Sequence, residues 1–188
     1  MNRPRGRPAQ GSGLSRADIL GSALALLDES GGQGLTMRTL ASRLGVTPMS
    51  LYRHVGGRDE LLRVLSDMVY AEVLEGTEPG EDPEAEVRGI LIRYHQTICR
   101  HPQLTLAIFS TPEALVGVTR QITDRLNMLL AVLAVDPTLW RDVLIDHAHG
   151  SGLAYAFAAE GQMRTMPMSQ YRNTLDRIIE KLIASNAA

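Results

Sequence analysis

The chain has 188 residues, of which 44% are hydrophobic and only 4% are aromatic, and its net charge is −2. A single cysteine, Cys99, excludes an intramolecular disulfide and a cysteine-rich zinc site. Polar residues interrupt every apolar run before the roughly 18 residues that a membrane span needs, and no apolar segment follows the basic N-terminus as in a signal peptide. We therefore expect a soluble, cytoplasmic protein.

The charge is distributed unevenly along the chain. Nine arginines against five acidic residues give the first 63 residues a net charge of +4, whereas ten basic and sixteen acidic residues give the remainder −6. A basic first part followed by an acidic remainder is typical of a chain whose first part meets phosphates.

Apolar residues recur at helical spacing along the chain and no run alternates strictly, which predicts an all-α protein without a sheet. Serine, threonine, proline and glycine mark the helix ends. In the first part, the predicted helices cover residues 15–30, 35–44, 48–55 and 58–75. An acidic linker, GTEPGEDPE, precedes a helix over 87–98, an apolar piece, LTLAIF, and helices over 115–133, 138–160 and 171–182.

The stretch LTMRTLASRLGVTPMSLYRHV, residues 35–55, combines a helix, a short turn containing Gly45 and a second helix. This order is typical of a helix-turn-helix. Leu51 and Val55 lie one turn apart and are predicted to point inward, while the other surface of the second helix carries hydroxyl, phenol, guanidinium and imidazole groups. Such a helix presents its N-terminal residues to base edges in the major groove, although a pair of packing helices is the alternative interpretation.

The sequence ILGSALALLDESGGQGLTMRTLASRLGVTPMSLYRHVGGRDELL, residues 19–62, resembles the tetracycline-repressor (TetR) family of bacterial transcription regulators. The resemblance implies a three-helix DNA-binding domain followed by a helical bundle for ligand binding and dimerisation. The corresponding division is a flexible basic arm over 1–14, the DNA-binding domain over 15–62 and the effector-binding and dimerisation domain over 63–188.

The resemblance also implies a set of DNA contacts. Arg53 stands where many members carry an aromatic residue, and its guanidinium suits the O6 and N7 atoms of guanine. Arg58 occupies the position of a lysine that grips the DNA backbone, and Tyr52 has the alternative of a core aromatic. The contacts implied within the domain are Arg38, Thr47, Pro48, Met49, Ser50, Tyr52, Arg53, His54 and Arg58.

The opening segment RPRGRP contains three arginines and no residue that a core could hold. Its centre, PRGRP, resembles the AT-hook, whose arginines enter a narrow A·T-rich minor groove. We predict that Arg5 and Arg7 contact DNA in this way. The alternative is a solvated tail that contributes only salt-dependent affinity.

The last two helices are the dimerisation helices by resemblance. The first carries small residues that allow close approach, and the second carries an apolar stripe that we expect one chain to bury only partly. We expect an intersubunit four-helix bundle, with an intrachain bundle as the alternative. The predicted interface residues are Gly150, Ala154, Ala158, Tyr171, Leu175, Ile178, Ile179 and Leu182.

The part of the chain after residue 62 contains no motif that identifies a ligand. Apolar and semi-polar side chains predicted to face inward indicate a mainly apolar cavity with one or two imidazoles. The predicted lining is His95, Cys99, Phe109, Met128, Trp140 and His147. A metal site built from Asp142, Asp146 and His149 is a weaker alternative, since exposed acidic residues are far more often solvated.

Together these features predict a homodimeric repressor that a small lipophilic or aromatic effector releases from a pseudo-palindromic double-stranded DNA operator, without a cofactor or a membrane partner. A DNA-binding regulator that responds to oxidation of Cys99, or to no effector, is the main alternative. An enzyme built on Asp146, His147 and His149 is not expected, because no nucleophile, phosphate loop or firm set of metal ligands accompanies them.

Overall fold

A computed structural model describes residues 14–76, 82–160 and 168–186 of the chain, and all regular elements in these ranges are helical. Arg5 and Arg7 lie outside the described residues, so their minor-groove contacts stay a prediction. The helices are α1 (Arg16–Gly34), α2 (Met37–Leu44), α3 (Pro48–Val55), α4 (Arg58–Tyr70), α5 (Pro83–Arg100), α6 (Pro102–Phe109), α7 (Val118–Leu133), α8 (Pro137–Glu160) and α9 (Met168–Asn186), with 3₁₀ segments at Ala71–Leu74 and Pro112–Leu115. The all-α prediction is therefore confirmed.

Helices α1–α3 form a head in which local sequence signals set each helix end. The Ser15 hydroxyl accepts a hydrogen bond from the Asp18 amide at 3.1 Å, and Thr36 accepts one from the Thr39 amide at 3.1 Å. Such side-chain caps satisfy backbone N–H groups that have no partner within the helix. Gly31 has a φ of +69°, so regular α-helical geometry is interrupted close to the end predicted for the first helix, although α1 is counted to Gly34.

The body consists of α5–α9, with α5 at its centre against α7, α8 and α9. The buried Leu91 and Ile98 of α5 belong to one hydrophobic core shared with the facing helices. At the rim, the guanidinium of Arg125 on α7 binds both carboxylate oxygens of Glu86 on α5, at 2.6 and 2.8 Å. Within the described residues, no helix combines the length and hydropathy required of a membrane-spanning segment.

Helix α4 joins the head to the body and continues into the 3₁₀ segment Ala71–Leu74. Its side chains Leu61, Leu62 and Leu65 are fully buried, and Tyr70 near its end donates to or accepts from the Thr105 hydroxyl of α6 at 2.9 Å. A single helix thus contributes to the packing of both parts of the chain.

The apolar stripe of α9 corrects the dimer prediction. Tyr171, Leu175, Ile179 and Leu182 are between 0% and 1% exposed in the single chain, because α9 packs against α5, α7 and α8 of its own protomer. These four residues are core residues, and their assignment to a subunit interface is wrong. Ile178 beside the stripe is half-buried, and Ala158 on α8 is 8% exposed, whereas Gly150 and Ala154 are exposed.

The start of α7 also differs from the prediction, since Leu115 lies in a 3₁₀ segment and α7 begins only at Val118. The Asp67 carboxylate of α4 accepts a hydrogen bond from the Val118 amide at 2.8 Å, and its other oxygen binds Arg63 at 2.8 Å. A Cβ atom at Gly117 would lie 1.7 Å from Oδ1 of Asp67. The close approach of Asp67 therefore requires glycine at position 117.

We expect Gly117→Ala to lower the free energy of unfolding by about 2–3 kcal/mol, because Asp67 must leave both the α7 amide and Arg63. Denaturant titration followed by circular dichroism measures this change. Gly21→Ala is the matched control, since nothing lies within 4 Å of an added Cβ there, and alanine in a helix should stabilise by up to about 1 kcal/mol. A loss no larger for Gly117→Ala than for the control would contradict the steric argument.

Candidate DNA-reading surface and ligand cavity

Helix α3 is anchored by two side chains and presents the others outward. Leu51 and Val55 are 0% and 3% exposed, as predicted, whereas Met49 is 71% and Tyr52 is 48% exposed. Tyr52 is thus not a core aromatic. The outward surface formed by Thr47, Pro48, Met49, Tyr52, Arg53 and His54 is the reading surface, and Ser50 beside it is half-buried.

The turn before α3 fixes the orientation of this surface. Gly45 is left-handed, with φ +65° and ψ 30°, and the Val46 amide donates to the Ala41 carbonyl at 3.0 Å. Glycine is favoured there because other L-residues rarely adopt a positive φ. The Thr47 hydroxyl then accepts a hydrogen bond from the Ser50 amide at 3.3 Å, and Pro48 occupies the first turn, where a missing N–H costs little.

An ion pair holds the second helix on the first. The Arg43 guanidinium of α2 binds both carboxylate oxygens of Glu29 on α1, at 2.5 and 2.7 Å. These hydrogen bonds lower the pKa of Glu29 and keep it ionised. Arg38 on the first turn of α2 is exposed, and its contact with DNA stays a prediction.

The position of Arg58 differs from the predicted grip on the DNA backbone. Its Nε donates to the Leu35 carbonyl at 3.0 Å and its Nη2 donates to the Gly32 carbonyl at 2.8 Å. Arg58 is the first residue of α4, and its guanidinium therefore links α4 to the end of α1 and to the connection between α1 and α2. Here Arg58 stabilises the head instead of pointing toward a phosphate.

A cavity of about 300 Å³ lies in the body where α5, α8 and α9 meet. It contains the predicted His95 and Cys99. Its lining is completed by Gln96, Arg100, Tyr155 and Met168. The volume is at the small end of the range of about 300–1,000 Å³ for ligand sites.

The other four predicted lining residues lie elsewhere. Phe109 and Met128 are 46% and 57% exposed, and Trp140 is half-buried against the core. The His147 ring stacks on Tyr171 at 5.2 Å between centroids and does not line the cavity. None of the four lines this cavity, and their contact with a ligand stays a prediction.

His95 forms one wall of the cavity with a neutral imidazole. His95 is 2% exposed, its Nε2 lies 3.1 Å from the Ser151 hydroxyl, and its ring stacks on Tyr171 with centroids 3.7 Å apart. Burial lowers the pKa of His95 to about 4, with a smaller contribution from His147. Cys99 lies next to it, with its sulfur 3.6 Å from Nδ1 of His95. This end of the cavity carries no charge near neutral pH.

The proposed metal and enzyme cluster is not assembled. His149 turns into the core, where its Nε2 lies 2.8 Å from the Tyr94 hydroxyl and its ring contacts Phe109 edge-on at 4.7 Å. Asp142 and Asp146 are exposed. In the described ranges, no three histidine, cysteine or acidic side chains come together as metal ligands.

Four lining residues were missed by sequence reasoning. Gln96 and Arg100 each follow a predicted lining residue by one position on α5. The face of α5 that carries His95 and Cys99 could therefore have indicated them as its neighbours. Tyr155 and Met168 come from α8 and the start of α9. Only the tertiary packing of three helices brings these two to the cavity.

A helix-turn-helix whose second helix is anchored from beneath and turns polar and basic side chains outward defines the class of helix-turn-helix DNA-binding proteins. Residues 19–65 match the family of bacterial regulatory proteins called the tetR family. The head of the chain therefore matches this TetR family, and the chain is a DNA-binding transcriptional regulator.

Known proteins share this similarity over different lengths. The HTH-type transcriptional repressor DrrR1 of Streptomyces coeruleorubidus is 27% identical over 95% of this chain and 68% of its own length. The tetracycline repressor protein class D of Escherichia coli is 32% identical, but over 47% of this chain and 41% of its own length. A crystal structure of BioQ with its double-stranded DNA operator aligns with a TM-score of 0.70 at 22% identity, covering 91% of this chain and 99% of that chain.

The two hydrogen bonds of Arg58 give a prediction for stability. Arg58→Gln should lower the free energy of unfolding by about 1–2 kcal/mol, because two backbone carbonyls lose a charged donor. Arg38→Gln is the matched control, and exposed substitutions of this kind usually stay within about 0.5 kcal/mol. Thermal unfolding of both variants measures the difference. Equal melting temperatures would show that the Arg58 contacts stabilise nothing.

The buried His149 gives a prediction for pH dependence. Burial lowers its pKa to about 4 from the ordinary 6.5, so the folded chain binds fewer protons than the unfolded chain between these values. The contribution of His149 to the free energy of unfolding is therefore fully present above about pH 6.5. It falls by on the order of 2 kcal/mol as the pH decreases toward 4. His149→Gln should flatten the decline in unfolding midpoint across this window.

Tyr94→Phe is the control for this experiment, because it removes the same hydrogen bond but keeps the histidine. It should retain the wild-type slope at a lower overall stability. A His149→Gln profile parallel to wild type would disprove the assignment.

Proposed function

We propose that the protein is a homodimeric repressor, and not an enzyme, that binds a pseudo-palindromic operator and leaves it when a small, mainly apolar effector enters the body. The observation that carries this proposal is the reading surface, whose side chains are exposed while Leu51 and Val55 beneath them are buried. A protein that used α3 only for packing would have no need to expose Met49 and Tyr52 together.

The reading surface has the chemistry that major-groove recognition requires. Arg53 offers two donors to a guanine, and the methyl-bearing Thr47 and Met49 suit thymine methyl groups. Arg38 and His54 at the edges of this surface suit phosphates, which position a protein on the duplex without reading sequence. The similarity in fold to BioQ, which has been crystallised with its operator, supports the same use of the head.

The outer face of α8 supports dimerisation. Leu139, Val143 and Phe157 are 55%, 39% and 38% exposed, and the exposed Gly150 and Ala154 lie between them on the same face. Val132 in the last turn of α7 and Val135 in the connection to α8 are also exposed, at 69% and 77%. Several exposed apolar residues on one helix face are typical of an interaction site on a soluble domain.

A second copy of the chain is the occupant that fits this face. Asp142 and Asp146 are exposed along α8, and Arg177 and Lys181 are exposed on α9. A two-fold axis that placed α8 against α9 of the partner would bring these opposite charges together while burying the exposed apolar residues of α8.

The cavity supports control by an effector. The surface that lines it is mainly apolar, with the neutral imidazole of His95 and the guanidinium of Arg100 in its wall, and it lies on α5, which packs beside the α4 extension. An effector shifts the operator equilibrium only through a different affinity for the two states of the protein. A site on α5 is compatible with such a difference, since movement of the neighbouring α4 would change the spacing of the two heads.

Regulation by oxidation of Cys99 is less consistent with the structure. Burial raises the pKa of Cys99 to about 11, so its sulfur stays a thiol near neutral pH. The neighbouring His95 is neutral and does not stabilise a thiolate. The chain holds no second cysteine to resolve an oxidised one.

The experiment selects duplexes from a random pool with purified full-length protein and maps the bound sequence by footprinting. We expect two protected half-sites whose centres lie about 34–36 Å apart or a multiple of this distance. Val143→Asp should convert the dimer to a monomer in sedimentation velocity and weaken operator binding by at least about tenfold, because a charge would be buried at the interface.

Val116→Asp is the matched control, since Val116 is 58% exposed and lies away from α8. It should keep the dimer and its affinity. Selection of no duplex by the wild-type protein contradicts the proposed DNA function. A dimer that survives Val143→Asp contradicts the proposed interface.

A further inference from the structure

Arg100 touches both the cavity and the helix that carries the head. Its side chain lines the cavity at the last residue of α5. Its Nη2 also donates to Oε1 of Glu72, which lies in the 3₁₀ extension of α4. One guanidinium therefore connects the site of a ligand with the connection between body and head.

Glu72 is a main attachment of the α4 extension to α5. The Thr97 hydroxyl donates to the same Oε1 atom at 2.9 Å, and Arg93 donates to the Val73 carbonyl at 2.9 Å. The attachment by Arg100 differs from these two, because its partners are half exposed, with 54% of the Arg100 and 36% of the Glu72 side chain accessible. Exposed ion pairs of this kind are weak and exchange readily for another partner.

The polar groups deeper in the cavity already have partners. His95 contacts Ser151, and the Cys99 thiol lies 3.7 Å from the Gly152 carbonyl, which it approaches as a donor. In the part of the chain that the structure describes, neither Nη1 of Arg100 nor the side-chain amide of Gln96 makes a hydrogen bond. The cavity thus combines an apolar, neutral interior with a single cationic end.

We propose that the effector is an amphipathic anion, an apolar body bearing one carboxylate, and that its carboxylate takes the Arg100 guanidinium from Glu72. This inference rests on the proposed effector function. A carboxylate accepts two parallel hydrogen bonds from a guanidinium, so the anion competes directly with Glu72. The α4 extension then loses its ion pair with Arg100. This ion pair no longer helps to fix the position of the head relative to the body.

The competition supplies the differential affinity that an effector needs. In the state with the Glu72–Arg100 bond, one donor of the guanidinium is occupied by Glu72. In the state without this bond, the anion can bind that donor as well. The anion therefore favours the state in which α4 is released. A neutral ligand of the same shape fills the apolar part without disturbing Glu72.

The binding test uses two probe pairs, hexanoate with 1-hexanol and 4-phenylbutyrate with 4-phenylbutan-1-ol, titrated calorimetrically into full-length protein without DNA. At least one carboxylate should bind about tenfold more tightly than its alcohol. Arg100→Gln should abolish this preference, and Glu72→Gln should strengthen carboxylate binding about two- to fivefold by removing the competitor. Arg120→Gln is the matched control, because Arg120 is an exposed arginine beside Asp124 on α7 that does not line the cavity.

The second readout is operator affinity without any ligand. Glu72→Gln keeps an oxygen that accepts from Thr97 but weakens the attraction to Arg100, so it should mimic the effector and weaken operator binding about two- to fivefold. Arg100→Gln should have the same effect, and the double variant should be no weaker than either single variant, since all three disrupt one ion pair. Far-UV circular dichroism confirms that each variant is folded.

Equal binding of carboxylates and alcohols, or of neither, overturns the proposal, and so does a carboxylate preference that survives Arg100→Gln. Additive operator losses in the double variant overturn the coupling through Glu72. Wild-type protein that selects no duplex contradicts the proposed DNA function instead, while the calorimetric comparison still decides whether the cavity takes an anion.

Discussion

The structure depends on the burial of α4 in two places at once. Leu61, Leu62 and Leu65 are fully buried beside the head, and Tyr70 is 2% exposed against the body. Each buried leucine of this kind contributes about 2 kcal/mol of hydrophobic stabilisation. Neither part can therefore change its position without disturbing a core that both share, and a small change at the body end of α4 reaches the head.

Helix boundaries in the head follow from local sequence, and they were predicted closely. The bounds of α3 agree because Thr47, Pro48 and Gly56 act on their immediate neighbours, and these effects need no tertiary context. The start of α7 was missed for the opposite reason. Its N-terminal amide is capped by Asp67, 51 residues earlier in the chain, and no local pattern around Leu115 records that contact.

The functional residues divide in the same way. The reading surface could be predicted, since exposure on a short helix follows from the two positions that must be buried. The cavity could be predicted only along α5, where His95 and Cys99 share a face, whereas Tyr155 and Met168 reach it through packing. The stripe of α9 shows the limit most clearly, because Tyr171 and Leu175 had to be covered by something, and the sequence did not say that α5, α7 and α8 of the same chain would cover them.

The two-point anchoring of α3 has a consequence for how such a protein can diversify. Leu51 and Val55 hold the helix, and Arg58 closes the head without taking part in the reading surface. Met49, Tyr52 and Arg53 can therefore be exchanged with little cost to folding, and the cavity residues lie in another part of the chain. Under the proposed function, target preference and signal sensitivity would be encoded by separate residues, so either property could be re-engineered while the other is inherited unchanged.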